Sequence, residues 1–275
     1  MCPRPGQWQH EKDGATEMND LTGNQYDIVV NVFSLTTTMM GVASIFFFLQ
    51  RSEVLPRYRM GVTLLALMTL VSAYSYHELY LSWTAAYSVV NNSLKVSGTA
   101  FNEGFRYADW ILTVPLLLVA LVQVLDMPAR QARVRSTILA VLAAEMVILG
   151  YPGQMSATAE TRWLWWGIAM VPALIIVFQL YIGLSAAVAG EPEESRKLVK
   201  QARLLTIVSW STYPIFFLFP LLGIGGSFAF AGMQVGYAAA DILAKIAYGV
   251  LLYRVAAVKS AAAAEMSSAL RTVKI

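Results

Sequence analysis

The chain has 275 residues, of which 57% are hydrophobic and 13% charged, with a mean hydropathy of +0.56; a soluble domain carries about 25% charged residues, so a water-soluble globular fold is excluded. The net charge of +3 is spread in short groups between apolar runs, which excludes a nucleic-acid-binding face and leaves topology as what the basic residues report. A single cysteine, Cys2, excludes an internal disulfide.

About 20 apolar residues cross a bilayer core, and seven such spans are predicted, at 26–50, 60–83, 102–125, 136–151, 162–188, 204–222 and 233–258. The polar residues 1–24 lack the apolar core of a signal peptide and are expected to form an external tail. Between the second and third spans, short β-prone runs flank Asn91-Asn92, which predicts a hairpin over Tyr87 to Ser97. The fourth span is short and is expected to begin earlier. Residues 25–258 form one membrane domain, and the alanine-rich stretch 259–275 is either a helical extension or a frayed tail. Alternate connections carry fourteen Lys and Arg on one side, among them Arg51, Arg57, Arg130, Arg135, Arg196 and Lys259, against Arg4, Lys12, Lys95 and Arg162 on the other. By the positive-inside rule the N-terminus is outside and the C-terminus cytoplasmic. The expectation is an all-α bundle of seven transmembrane helices in the cell membrane, surrounded by lipid.

The ionisable groups that cannot be assigned to the connections are few: His77, Arg106, Asp109, Glu145, Asp241 and Lys245. Lys245 stands about 12 residues from either end of its span, roughly 18 Å from water, too far for its stem to carry the ammonium out. Such a charge needs a buried partner or a chemical task, and one task of an amine is to condense with an aldehyde. Asp109 and Asp241 are its natural counter-ions, and Arg106, three residues before Asp109, balances the surplus negative charge. A purely structural salt-bridge cluster is the alternative, disfavoured because buried ion pairs seldom offset their desolvation.

Three segments then carry a specific resemblance. Arg106-Tyr-Ala-Asp-Trp-Ile-Leu-Thr-Val-Pro-Leu-Leu-Leu118, Trp210-Ser-Thr-Tyr-Pro214 and Asp241-Ile-Leu-Ala-Lys245 are similar, in that order and on spans three, six and seven, to motifs of the microbial (type 1) rhodopsins. Gly150-Tyr-Pro-Gly-Gln154, His77 and Gln234-Val-Gly-Tyr237 resemble the proteorhodopsin and xanthorhodopsin branch. The resemblance implies all-trans retinal joined to Lys245 as a protonated Schiff base. Asp109 would be the proton acceptor and main counter-ion, Asp241 the second, with Arg106, Thr113 and His77 completing the complex. Trp110, Leu117, Met146, Gly150, Trp210, Tyr213 and Pro214 would line the retinal pocket, and Leu117, apolar at the colour-tuning position, resembles the green-absorbing forms. Gly167 is where xanthorhodopsin-like members open a window for a carotenoid antenna, although membrane glycines serve close packing equally well.

Two departures follow. Ala120 occupies the position where pumps of the branch place a carboxylic proton donor, so a slow, pH-dependent late photocycle is expected. Gln154 replaces a frequent Glu, which leaves Glu78, Glu103 and water near Arg106 as proton-release candidates. Glu145, about 100° round the helix from Met146, is expected to face a neighbouring helix or subunit rather than act as a substitute donor. The expected function is a light-driven outward proton pump, not an enzyme. The carboxylate at Asp109 disfavours a halide pump, and Asp109, Thr113 and Ala120 do not match the sodium-pump triplet. A photosensor signalling to a partner is the alternative, a retinal-free carrier with an essential lysine the third, and a homo-oligomer, trimer or pentamer, is implied by the family.

Overall fold

The computed structural model describes residues 22–90 and 93–273, and among them lie seven helices of membrane length. Helix α1 (Gly23–Gln50) begins in a capping box: the Thr22 hydroxyl accepts the Gln25 N–H at 3.3 Å and the Gln25 side chain accepts the Thr22 N–H at 2.9 Å. Helix α2 (Pro56–Ala86) starts on a proline, whose missing N–H is harmless in a first turn. Strands β1 (Tyr87–Val90) and β2 (Ser93–Val96) pair antiparallel as predicted, Val90 opposite Ser93. The turn at Asn91-Asn92 and the tail 1–21 lie outside the described residues.

Then follow α3 (Gly104–Val124), α4 (Ala129–Gln154), α5 (Ala159–Gly190), α6 (Glu193–Leu218) and α7, which runs Gly226–Asp241, Ile242–Ala247 as a π turn, and Tyr248–Val273. A second π turn, Gln179–Gly183, interrupts α5. The fourth span does begin earlier, at Ala129. Helix α6 begins eleven residues before its expected start, because Glu193, Glu194, Arg196, Lys197, Lys200 and Arg203 extend its first turns beyond the apolar run. For the same reason six of the seven helices pass as spans on length and hydropathy, and α6 does not. Helix α7 continues through residue 258 into the alanine-rich stretch without a break.

Consecutive helices pack as neighbours, and α7 closes the ring against α1, α2, α3 and α6. The outer surface is apolar, with Leu35, Val42 and Ile45 of α1 and Leu164, Val171 and Leu174 of α5 exposed, as lipid contact requires. Inside lie two clusters. One, toward the hairpin, is built on Phe33, Tyr76, Leu79 and Trp83. The other, toward the arginine-rich connections, is built on Phe47, Leu65, Leu118, Leu121, Tyr248 and Leu252. Gly61 lets α2 approach α3, since a Cβ there would meet Val124 Cγ1 at 3.0 Å and the Ala120 carbonyl oxygen at 3.3 Å. The buried Asp109, Asp241 and Lys245 occupy the level between the two clusters.

Candidate functional site: a buried lysine facing an apolar cavity

Lys245 sits in the π turn of α7 and is 2% exposed. Its Nζ hydrogen-bonds to Asp109 Oδ2 of α3 and lies 3.3 Å from Asp241 Oδ1, one turn back on α7. Both carboxylates are 1% exposed, so each needs donors. Ser72 of α2 donates to Asp109 Oδ1 at 2.8 Å. Asp241 accepts from Tyr76 at 2.7 Å, Tyr213 at 2.6 Å and Trp110 Nε1 at 3.3 Å. Four helices thereby fix the three charges. Thr113 donates to the backbone carbonyl of Asp109 at 2.9 Å, bracing the helix below the acid rather than bonding its carboxylate.

Arg106, one turn nearer the hairpin, is also buried. Its Nε donates to Glu103 Oε2 at 3.2 Å and its terminal nitrogen to Gln234 Oε1 at 2.5 Å, while its guanidinium stands 4.7 Å over the Tyr237 ring. Gln234 in turn donates to Glu103 Oε1 at 2.8 Å. Arg106 therefore faces an outer acid, and the two inner aspartates are held by Lys245, hydroxyl groups and the Trp110 indole.

Next to Lys245 opens a cavity of about 220 Å³, bounded by α3 to α7. All seven expected pocket residues, Trp110, Leu117, Met146, Gly150, Trp210, Tyr213 and Pro214, line it, and Asp241, Thr113 and Lys245 form its polar end. An amine with two carboxylates beside a slot walled by indoles and aliphatic groups suits a long apolar molecule ending in a carbonyl. Ala120 is fully buried toward α2, beside Gly61 and away from the cavity.

Two expected site residues are not brought here. His77 does not meet Asp109: α2 buries Ser72, Ser75, Tyr76 and Leu79, and His77, about 100° round from Tyr76, is exposed with its ring stacked on Tyr80. Gly167 does not open the cavity. It is exposed with nothing within 4 Å of a Cβ, while the neighbouring Trp166 fills the wall. Glu145 is exposed on the outer face of α4 and, among the described residues, meets no neighbouring helix of the chain. Sequence reasoning missed Ser72 and Tyr76, which are visible only as a polar i, i+4 pair in mid-span.

It also missed a second buried lysine. Lys259 of α7, counted above among the connecting charges, is 4% exposed. Its Nζ donates to Glu191 Oε2 at 2.7 Å and to the Val124 carbonyl at 2.9 Å, and it lies 3.0 Å from Asp126 Oδ2 and 4.9 Å from the Tyr58 ring. Tyr58 donates to Asp126 Oδ1 at 2.8 Å, and Glu191 Oε1 accepts the Asp126 N–H at 2.7 Å. Burial pushes the Asp126 carboxyl up, but the bonds from Tyr58 and Lys259 outweigh it and hold the group below the usual carboxylate range.

Fold and site together define a seven-helix membrane protein organised around an interior lysine that opens on a ligand-sized cavity. Residues 29–259 match a family profile described as bacteriorhodopsin-like protein. Bacteriorhodopsin of Halobacterium salinarum is 28% identical over 246 residues, 86% of this chain and 87% of that protein. Cruxrhodopsin-3 of Haloarcula vallismortis is 32% identical over 159 residues, 54% of this chain, and the match spans 60% of the relative's own length. Among solved structures, xanthorhodopsin, titled a light-driven ion pump with dual chromophore, superposes with a TM-score of 0.86 at 38% identity, covering 89% of this chain and 98% of that one. Thermophilic rhodopsin gives 0.83 at 35% identity over 87% of this chain and 96% of that one. The chain belongs to the bacteriorhodopsin-like family, as a microbial type 1 rhodopsin of xanthorhodopsin-like structure.

Proposed function

We propose that the chain binds all-trans retinal through Lys245 and is a light-driven pump that moves protons outward, with Asp109 as the acceptor. The observation that carries the reading is the position of Lys245 Nζ, against Asp109 and Asp241 on one side and facing the aromatic-walled cavity on the other. When bound, retinal supplies light absorption and a double-bond rotation that re-aims the proton-bearing nitrogen. The chain's own groups do the rest. Asp241 is tied by three donors and stays a fixed counter-charge. Asp109 has one hydroxyl donor besides Lys245, so it is the carboxylate free to take a proton. Arg106 and Glu103 lie beyond it, toward the hairpin, on the way out. The wall at Trp166 supports one chromophore in the cavity, without a carotenoid at Gly167. The exposed Glu145 in mid-helix supports a lipid-embedded contact with a second copy, in a trimer or pentamer.

With Ala120 at the donor position, the returning proton comes from cytoplasmic water, so absorbance recovery after a flash slows as pH rises from about 6 to 9, following proton availability. Purified protein given all-trans retinal should become coloured. Cells containing it should acidify their medium in light, and a protonophore should abolish the signal. A normal photocycle with no acidification would favour the second reading, a photosensor, which the slow recovery implied by Ala120 also suits.

A further inference from the structure

We propose that Lys259, Glu191 and Asp126 form the entry gate through which a proton returns to the interior site, and that the strength of this cluster sets the pace of recovery. The proposal rests on the pump reading. The path behind it is dry. Between Lys245 and Lys259 the buried side chains are Tyr248, Leu252, Val255 and Ala256 of α7 with Ala120 and Leu121 of α3, each 1% exposed or less. The Tyr248 hydroxyl is spent on the Leu117 carbonyl at 3.2 Å. The nearby hydroxyls of Thr69 and Thr206 are likewise spent on carbonyls of their own helices. Among the described residues none of these side chains has a proton free to hand inward, so water must enter.

At the cytoplasmic end that entry is closed by the cluster, which is graded from wet to dry: the Asp126 side chain is 46% exposed, Lys259 2% and Glu191 0%. The three donors of the ammonium are spent on Glu191, Asp126 and the last carbonyl of α3. Tyr58 and Arg57 come from α2, the latter 3.9 Å from Asp126; Glu191 comes from the α5–α6 connection and Lys259 from α7. Four segments thus meet in the cluster, α2 through Asp126 and the others at the lysine nitrogen itself, so outward movement of the end of α3, the α5–α6 connection or α7 breaks the closure.

Removing one member of a buried pair strands the other charge, whereas removing both charges does not. The variant Lys259→Met in the full chain with retinal should therefore recover roughly fivefold faster or more, since Glu191 is left unpaired. The double variant Glu191→Gln/Lys259→Met keeps an acceptor for the Asp126 N–H and should return to within about twofold of the parent. Tyr58→Phe should accelerate recovery less, and it remains usable if the lysine variant does not fold. Recovery unchanged in both single variants, or equally fast in the double variant, would overturn the gate. A second readout needs neither light nor retinal. A cysteine at Val255, with Cys2 replaced by Ser, should react with a water-soluble maleimide faster when Lys259 is Met. Equal labelling alongside normal light-driven acidification sinks the gate alone; faster labelling without acidification by the parent protein sinks the pump reading alone.

Discussion

Helix α7 carries two buried lysines fourteen residues apart, about 21 Å along its axis, each held by two carboxylates and each beside the end or middle of α3. Charge and burial do not distinguish them. What does is the rest of the surroundings: Lys245 faces an apolar cavity, and Lys259 spends its third donor on a backbone carbonyl under a tyrosine ring. An amine becomes an attachment point when space for a ligand opens beside it. The same amine becomes a clasp when protein fills that space.

The sharpest break of this comparison is replacement of each lysine by alanine. Lys245→Ala should give no visible band with retinal, whereas Lys259→Ala should still give a pigment; absorption spectra of the two decide it. Next, Asp109→Asn removes the acid that faces the amine, moving the band to longer wavelength and lowering light-driven acidification by more than about tenfold, or about 1.4 kcal/mol of barrier. The corresponding change at the clasp, Asp126→Asn, should act on stability and its pH dependence. The Asp126 carboxyl lies below its usual range when folded, so its stabilisation is present above the unfolded value, about pH 4, and is lost as pH falls through the folded one. Pigment melting temperatures between about pH 7 and 3 should therefore drop less steeply in the asparagine variant than in the parent. Smallest of all, Gly167→Leu should leave the absorption band in place, because its Cβ meets nothing; a shifted band would put Gly167 back on the cavity wall.

The first lysine was legible in the sequence and the second was not, for a physical reason. Lys245 is a lone cation in an apolar run, with Asp241 a turn away. Lys259 sits where the span gives way to small and polar residues, and its carboxylates lie in two connections distant along the chain. The seven spans were legible because a bilayer demands apolar length, and the boundary of α6 was not, because charged residues continue that helix past the membrane. The misplacement of His77 has a related cause. In a soluble helix the polar face marks the outside, but α2 also turns Leu67, Leu70 and Leu81 outward, so hydropathy does not say which side of it meets Asp109. The pocket fared better, since its residues belong to motifs whose spacing fixes a face.

The wide turn at Ile242–Ala247 ties the two lysines together in phase. A five-residue turn carries one residue more than an ordinary one, so everything after it on α7 is swung by about 100° relative to an uninterrupted helix. Shortening that loop of backbone by a single residue would leave Asp241 aimed as before and twist Lys259 off its acids, uncoupling the mouth of the protein from its interior.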